Sequence, residues 1–64
     1  MRRLGHRLAM LQQHQGLSQV QLAKWARVTQ GYIAQLEAGD KTPSLPALRR
    51  LAMALDVKVA ELVE

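Results

Sequence analysis

The sequence predicts an all-α fold, a compact bundle of five short helices, and three observations carry that expectation. Apolar residues recur at three- and four-residue spacing along nearly the whole chain. Residues that cap helix starts and glycines that end them punctuate that pattern at short intervals. No segment alternates polar and apolar residues as a half-buried strand must.

Leu4, Leu8 and Leu11 share one helical face, so a first helix runs from about Arg2 to His14 and Gly16 closes it. Ser18 followed by Gln21 forms a capping box and opens a second helix, whose inward side is Val20, Leu22, Ala23 and Ala26. Only Arg27 and Val28 intervene before Thr29 caps a third helix, about Gln30 to Ala38, with Ile33 and Leu36 inward and Gly39 as a left-handed stop. Gly39-Asp40-Lys41-Thr42-Pro43 is a loop, and Ser44 with Pro46 in the first turn starts a fourth helix that buries Leu48, Leu51, Ala52 and Leu55 and ends near Asp56. A fifth, about Val59 to Val63, begins at Lys58, where a capping Ser or Asp is missing, and packs Leu62 back on the core. With no repeat, low-complexity tract or linker, residues 1–64 read as a single domain.

Size and composition narrow the function. A chain of 64 residues without cysteine has no disulfide, no thiolate zinc site and no catalytic thiol, and fits a reducing compartment. A domain this small buries only about 60% of its unfolded surface, so helix packing or a partner subunit must stabilise it, and a large enclosed active site is not expected. No apolar run approaches the ~18–20 residues that span a bilayer, and the start Met1-Arg2-Arg3-Leu4-Gly5-His6-Arg7 lacks the apolar block of a signal peptide. A cytoplasmic protein with no membrane association is expected. His6 and His14 have no neighbouring cysteine or carboxylate and make no metal site. No Ser-His-Asp arrangement, phosphate-cradling glycine loop or close carboxylate pair is visible, so no cofactor and no enzymatic activity are expected.

The net charge is +4, and its placement says more than its size. Residues 1–36 hold Arg2, Arg3, Arg7, Lys24 and Arg27 and no acid, whereas residues 37–64 are close to neutral. An acid-free basic half is an electrostatic footprint for a polyanion, although solubilising surface cations produce the same asymmetry. All seven glutamines also fall between Gln12 and Gln35. Glutamine suits a plain helix surface, and its amide also pairs bidentately with adenine.

Two short helices separated by so few residues cannot run antiparallel. They cross steeply, and the second of the pair keeps one face on the core and leaves the other free, as in a helix-turn-helix. B-DNA's major groove, about 12 Å wide, admits such a helix.

At this point the chain resembles the phage repressor and Cro type of helix-turn-helix domain, also called the XRE family. The resemblance rests on Gly16-Leu17-Ser18-Gln19, Leu22-Ala23, Val28-Thr29-Gln30-Gly31-Tyr32-Ile33, Leu36-Glu37-Ala38-Gly39, Pro43-Ser44-Leu45 and Leu51-Ala52-Met53-Ala54-Leu55, in order and nearly end to end. It implies a five-helix lambda-repressor-like domain whose third helix reads double-stranded operator DNA as a homodimer, in a bacterial or phage-type cytoplasm at the nucleoid. Gln30, Gly31 and Gln35 then occupy base-reading positions. Gln30 would pair with adenine, and Gly31 would admit close backbone approach or leave a gap for a thymine methyl.

Ser18 and Gln19 would present the amides of the second helix to a phosphate, joined by Thr29, Tyr32, Lys41 and Thr42 around the third, with Arg2, Arg3 and Arg7 adding charge. Alternatives stand beside these roles: Gln30 and Gln35 as solvated amides, Ser18 as a cap, Tyr32 as a packed side chain, Lys24 and Arg27 as solvated cations. The dimer contact falls on Val59, Leu62 and Val63 and the end of the fourth helix.

Three positions depart from the family pattern. Arg27 stands where a left-handed glycine is usual, which costs up to ~1 kcal/mol. Gln12 replaces an arginine that pairs with the glutamate at position 37, and an amide hydrogen bond from Gln12 to Glu37 is expected in its place. Trp25 replaces a charged residue and either packs between helices or serves as a docking point. Two further readings use the same fold: an antitoxin that binds a toxin and autoregulates its operon, and a protein-interaction module without DNA binding. A sensory or oligomerising domain elsewhere in a longer protein is a further possible partner.

Overall fold

A computed structural model describes residues 2–63, with the side chain of Arg2 outside the described residues. Five helices follow one another: α1 Arg2–His14, α2 Gln19–Ala26, α3 Gln30–Glu37, α4 Leu45–Ala54 and α5 Val59–Val63. No strand occurs among the described residues.

Local chemistry sets the boundaries. Ser18 Oγ accepts from Gln21 N at 3.1 Å while Gln21 Oε1 accepts from Ser18 N at 2.8 Å, closing the expected capping box on α2. Thr29 and Ser44 accept in the same way from Tyr32 N and Ala47 N. The start of α5 is satisfied from the other direction, because the Glu61 carboxylate accepts from Lys58 N at 2.8 Å. That compensates for the missing cap at Lys58.

The first four helices end alike. Gly16, Arg27, Gly39 and Asp56 all have positive φ, and the residue after each donates back five positions: Leu17 N to Gln12 O, Val28 N to Ala23 O, Asp40 N to Gln35 O and Val57 N to Ala52 O. These are Schellman turns, whose apolar closing residue docks on the helix it has just left. Leu17, Val28 and Val57 do so, packing against the core. Two of the four left-handed positions hold residues other than glycine. Arg27, at φ 59° and ψ 44°, is as the family resemblance implies. Asp56 is not, although a short polar side chain tolerates this conformation.

The core is aliphatic. Leu4, Leu8, Leu22, Ile33, Leu36, Leu51, Leu55 and Leu62 are fully buried, with no buried polar residue beside them. Each contributes about 1.5–3 kcal/mol through surface removed from water. α2 packs on α3 and α4, α1 on α3 and α5, and α4 on α5. Three side chains fasten the helices by donating to carbonyls at helix ends: Arg7 Nη1 to Glu61 O, Gln15 Nε2 to Leu55 O and Arg50 Nε to Ala26 O. Such terminal carbonyls have no partner within their own helix.

The structure corrects several expectations. Val20 is 58% exposed rather than inward, because an eight-residue helix with Leu22, Ala23 and Ala26 inward has no further inward position. Of the two readings of Trp25, packing between helices is the one that fails, because the side chain is 59% exposed. Leu62 is wholly buried within its own chain and has no surface left for a dimer contact, unlike half-buried Val59 and exposed Val63. Gln12 makes no bond to Glu37: Gln12 Oε1 and Glu37 Oε2 are both buried without a partner, and Glu37 Oε1 accepts from Gln19 Nε2 at 3.0 Å.

Candidate nucleic-acid interface

α2 and α3 are joined by Arg27, Val28 and Thr29, with Arg27 left-handed, a connection of the helix-turn-helix kind, in which short helices joined by three or four residues cross rather than run antiparallel. Ile33 and Leu36 hold one side of α3 on the core. Gln30, Gly31, Ala34, Gln35 and Ala38 are all exposed. At ~100° per residue these five fall within an arc of about 140°, one continuous free face. It carries no charge, and no side chain longer than glutamine.

This face joins the three residues expected to read bases, Gln30, Gly31 and Gln35. It also adds Ala34, whose place one turn beyond Gln30 was available from the spacing alone. The alanine methyl suits apolar contact with a thymine methyl. A Cβ at Gly31 would meet nothing nearer than Thr29 Oγ1 at 4.0 Å, so nothing within the protein demands glycine there.

Around this face lie groups suited to phosphate. The capping box engages Ser18 N and Gln21 N, leaving the first-turn amides of Gln19 and Val20 pointing out of the helix. The Thr29 cap likewise leaves those of Gln30 and Gly31. Neither helix has an acid of its own in its first turn to compete for its N-terminal dipole. The Ser18 and Thr29 hydroxyls accept from backbone while each retains a proton to donate. Tyr32 is half-buried, and Lys41 Nζ lies over its ring, 5.8 Å from the centroid, so these two residues form one unit at the edge of α3. Thr42 is exposed in the adjoining loop.

The Gln19 side chain is differently used. Half-buried and bonded to Glu37, it ties the start of α2 to the end of α3, leaving its backbone amide as the group that faces outward. Arg7 and Arg50 spend donors inside the protein, a structural use that charge counting does not reveal. Gly5 is a further residue that sequence reasoning passed over. It allows α1 to lie against the end of α3, and a glycine inside a helical pattern was the available signal.

A helix pair joined in this way, with an uncharged amide-bearing face flanked by open helix N-termini and cations, defines a helix-turn-helix domain of the phage repressor and Cro type. Comparison with known proteins agrees. Residues 3–64 match the model of a helix-turn-helix domain family. The immunity repressor protein of Bacillus phage phi105 is 35% identical over 60 residues, or 94% of this chain, and the chain spans 42% of that repressor's length.

Among solved structures, the restriction-modification controller protein C.AhdI from Aeromonas hydrophila superposes with a TM-score of 0.92 at 36% identity, over 95% of this chain and 92% of the controller. The N-terminal DNA binding domain of SinR from Bacillus subtilis gives 0.93 at 28% identity, over 100% of this chain and 94% of that domain. SinR, the master regulator for biofilm formation, in complex with DNA gives 0.91 at 29% identity, over 95% and 98% of the two chains. The chain belongs to this family of helix-turn-helix domains.

Proposed function

We propose that the chain, as a single DNA-binding domain, represses transcription by binding duplex DNA sequence-specifically with α3 in the major groove. The observation that carries this reading is the free face of α3: two glutamines among glycine and alanine, small enough for the helix to sink into a groove and armed with the amides that pair with adenine. Gln30, on the first turn, and Gln35 read bases, and Gly31 and Ala34 admit the groove floor. Ser18, Gln19, Thr29, Tyr32, Lys41 and Thr42 hold phosphates, Gln19 through its backbone amide. SinR, similar in fold over nearly the whole chain, is known in complex with DNA, which supports DNA as the partner.

Binding as a homodimer follows the same reading, with half-sites about 34 Å apart. Val59 and Val63 of α5 are the apolar residues proposed for the contact, and sedimentation that shows only monomer at high micromolar concentration overturns it. The setting is the cytoplasm of a bacterial or phage-type system; no helix among the described residues is long and apolar enough to cross a membrane.

The experiment is selection from a randomised duplex pool at two salt concentrations, with a Gln30→Ala, Gln35→Ala double variant beside the natural chain. A two-fold symmetric motif that the variant loses, with affinity falling steeply as salt rises, is the expected result. Unselective binding shared by both proteins overturns base reading by α3.

A further inference from the structure

We infer that the cleft between α2 and α4, lined by Trp25, Arg27, Arg50 and Met53, docks an acidic amphipathic segment of a partner protein, with an apolar side chain in the cleft and carboxylates on either side. The cleft has a volume of about 330 Å³, and no residue of α3 or of the loop after it lines it. Its apolar walls are the chain's one tryptophan, 59% exposed, and Met53, 79% exposed. Indole and thioether side chains left in water at adjoining positions form a surface suited to an apolar partner group.

The charge of this surface selects the partner. From Gln19 to Val28 and from Leu45 to Leu55 the chain has no Asp or Glu, whereas Lys24, Arg27, Arg49 and Arg50 all lie in these segments. Arg50 is held in place by the bond from its Nε to Ala26 O at 2.9 Å, and its terminal nitrogens remain to meet a carboxylate in forked geometry. Arg27 is exposed at φ 59°, where the backbone favours glycine, so the benefit of arginine at this position lies in its side chain. Phosphate contact explains the cations but not the tryptophan and methionine between them; a segment with both apolar and acidic groups accounts for all four residues.

The test is selection of peptides from a random display library on the natural chain, followed by titration of a synthetic selected peptide with Trp25 fluorescence as the readout. The expected result is enrichment of sequences that combine a bulky apolar residue with Asp or Glu, and saturable binding that blue-shifts Trp25 emission. Arg27→Gly, which suits the left-handed turn, and Trp25→Ser, at an exposed position, are expected to fold, as checked by circular dichroism. Each should weaken the peptide at least tenfold, the Trp25 variant being followed by a label on the peptide, and leave affinity for the selected DNA duplex within twofold.

Failure of any peptide to enrich, or enrichment of peptides without acids, overturns the proposal. Loss of duplex affinity in Trp25→Ser reassigns the cleft to DNA, and loss of self-association in that variant reassigns it to a second copy of the chain; both also overturn the proposal. Because the peptide readout needs no DNA, failure here is distinct from failure of the DNA-binding reading.

Discussion

The carbonyl oxygen of Leu36 occupies the space that a side chain on Gly5 would need: a Cβ built there lies 2.3 Å from that oxygen and 2.8 Å from the carbonyl oxygen of Glu37. Both obstacles are backbone, so no rotamer change relieves them. Gly5→Ala must therefore push α1 away from the end of α3, and the gain in helix propensity of up to ~1 kcal/mol does not offset the overpacking. A net loss of about 1–3 kcal/mol is expected. For a domain of this size that lowers the melting midpoint by ~4–8 °C per kcal/mol. A thermal melt at or above that of the natural chain would show that the two helices have room to part.

Among the described residues, Glu37 and Gln12 form the polar defect near the core. Glu37 Oε1 receives the Gln19 amide, while Glu37 Oε2 and Gln12 Oε1 are buried acceptors without donors. An unsatisfied buried polar group costs roughly 1–3 kcal/mol. Gln12→Arg removes one acceptor and brings a guanidinium with several donors toward the carboxylate, so it should raise stability by about 1–2 kcal/mol. The urea midpoint is the measurement, read at unchanged denaturant slope. An unmoved or lower midpoint would mean that the arginine fork does not reach Glu37.

The Gln12 case also marks where legibility ends. What depended on residues within three positions of each other was readable: the caps at Ser18, Thr29 and Ser44, the helix stops at Gly16 and Gly39, and the helical faces of the large aliphatics, while the left-handed Arg27 followed from the family resemblance. What depended on tertiary geometry was not. Either Gln12 or Gln19 satisfies Glu37 on paper, and only the packing of α2 on α3 favours Gln19. The close approach at Gly5 and the return of Glu61 to Lys58 N likewise arise from spatial neighbours. Val20 was misplaced, and Trp25 left open, because a helix of eight residues has too few turns for its apolar pattern to separate an inward stripe from an exposed one. For the candidate site, Gln30, Gly31 and Gln35 came from the family resemblance, and with Ile33 and Leu36 inward all three are exposed on one face of α3.

Lys41 separates charge from sequence reading. Its ammonium rests over the Tyr32 ring at the edge of α3 and is exposed, a position for phosphate rather than for a base. Lys41→Ala should weaken binding to every duplex by a similar factor and reduce the slope of log affinity against log salt by about one. The fold should be unaffected, since an exposed cation–π contact is worth only about 0.5–1 kcal/mol. Equilibrium binding at four or more salt concentrations tests this. A change in the preferred sequence with an unchanged slope would place Lys41 on a base edge instead.

Gly31 gives the sharpest separation of fold from function, because the two expected effects have opposite signs. In the free protein the space beyond its Cα is open, with the nearest atom 4.0 Å from a built Cβ, and its φ is not left-handed. Alanine is the better helix former, so Gly31→Ala should stabilise the fold by about 0.5–1 kcal/mol. If Gly31 is glycine so that α3 can approach the groove floor, the same methyl must weaken operator binding, by about tenfold if it displaces one good contact worth ~1.4 kcal/mol. The variant would then melt higher and bind worse, a combination that damage to the fold cannot produce. Thermal melts and duplex titrations on one preparation decide it. Undiminished affinity would remove Gly31 from the interface and leave Gln30, Ala34 and Gln35 as the residues that meet the bases.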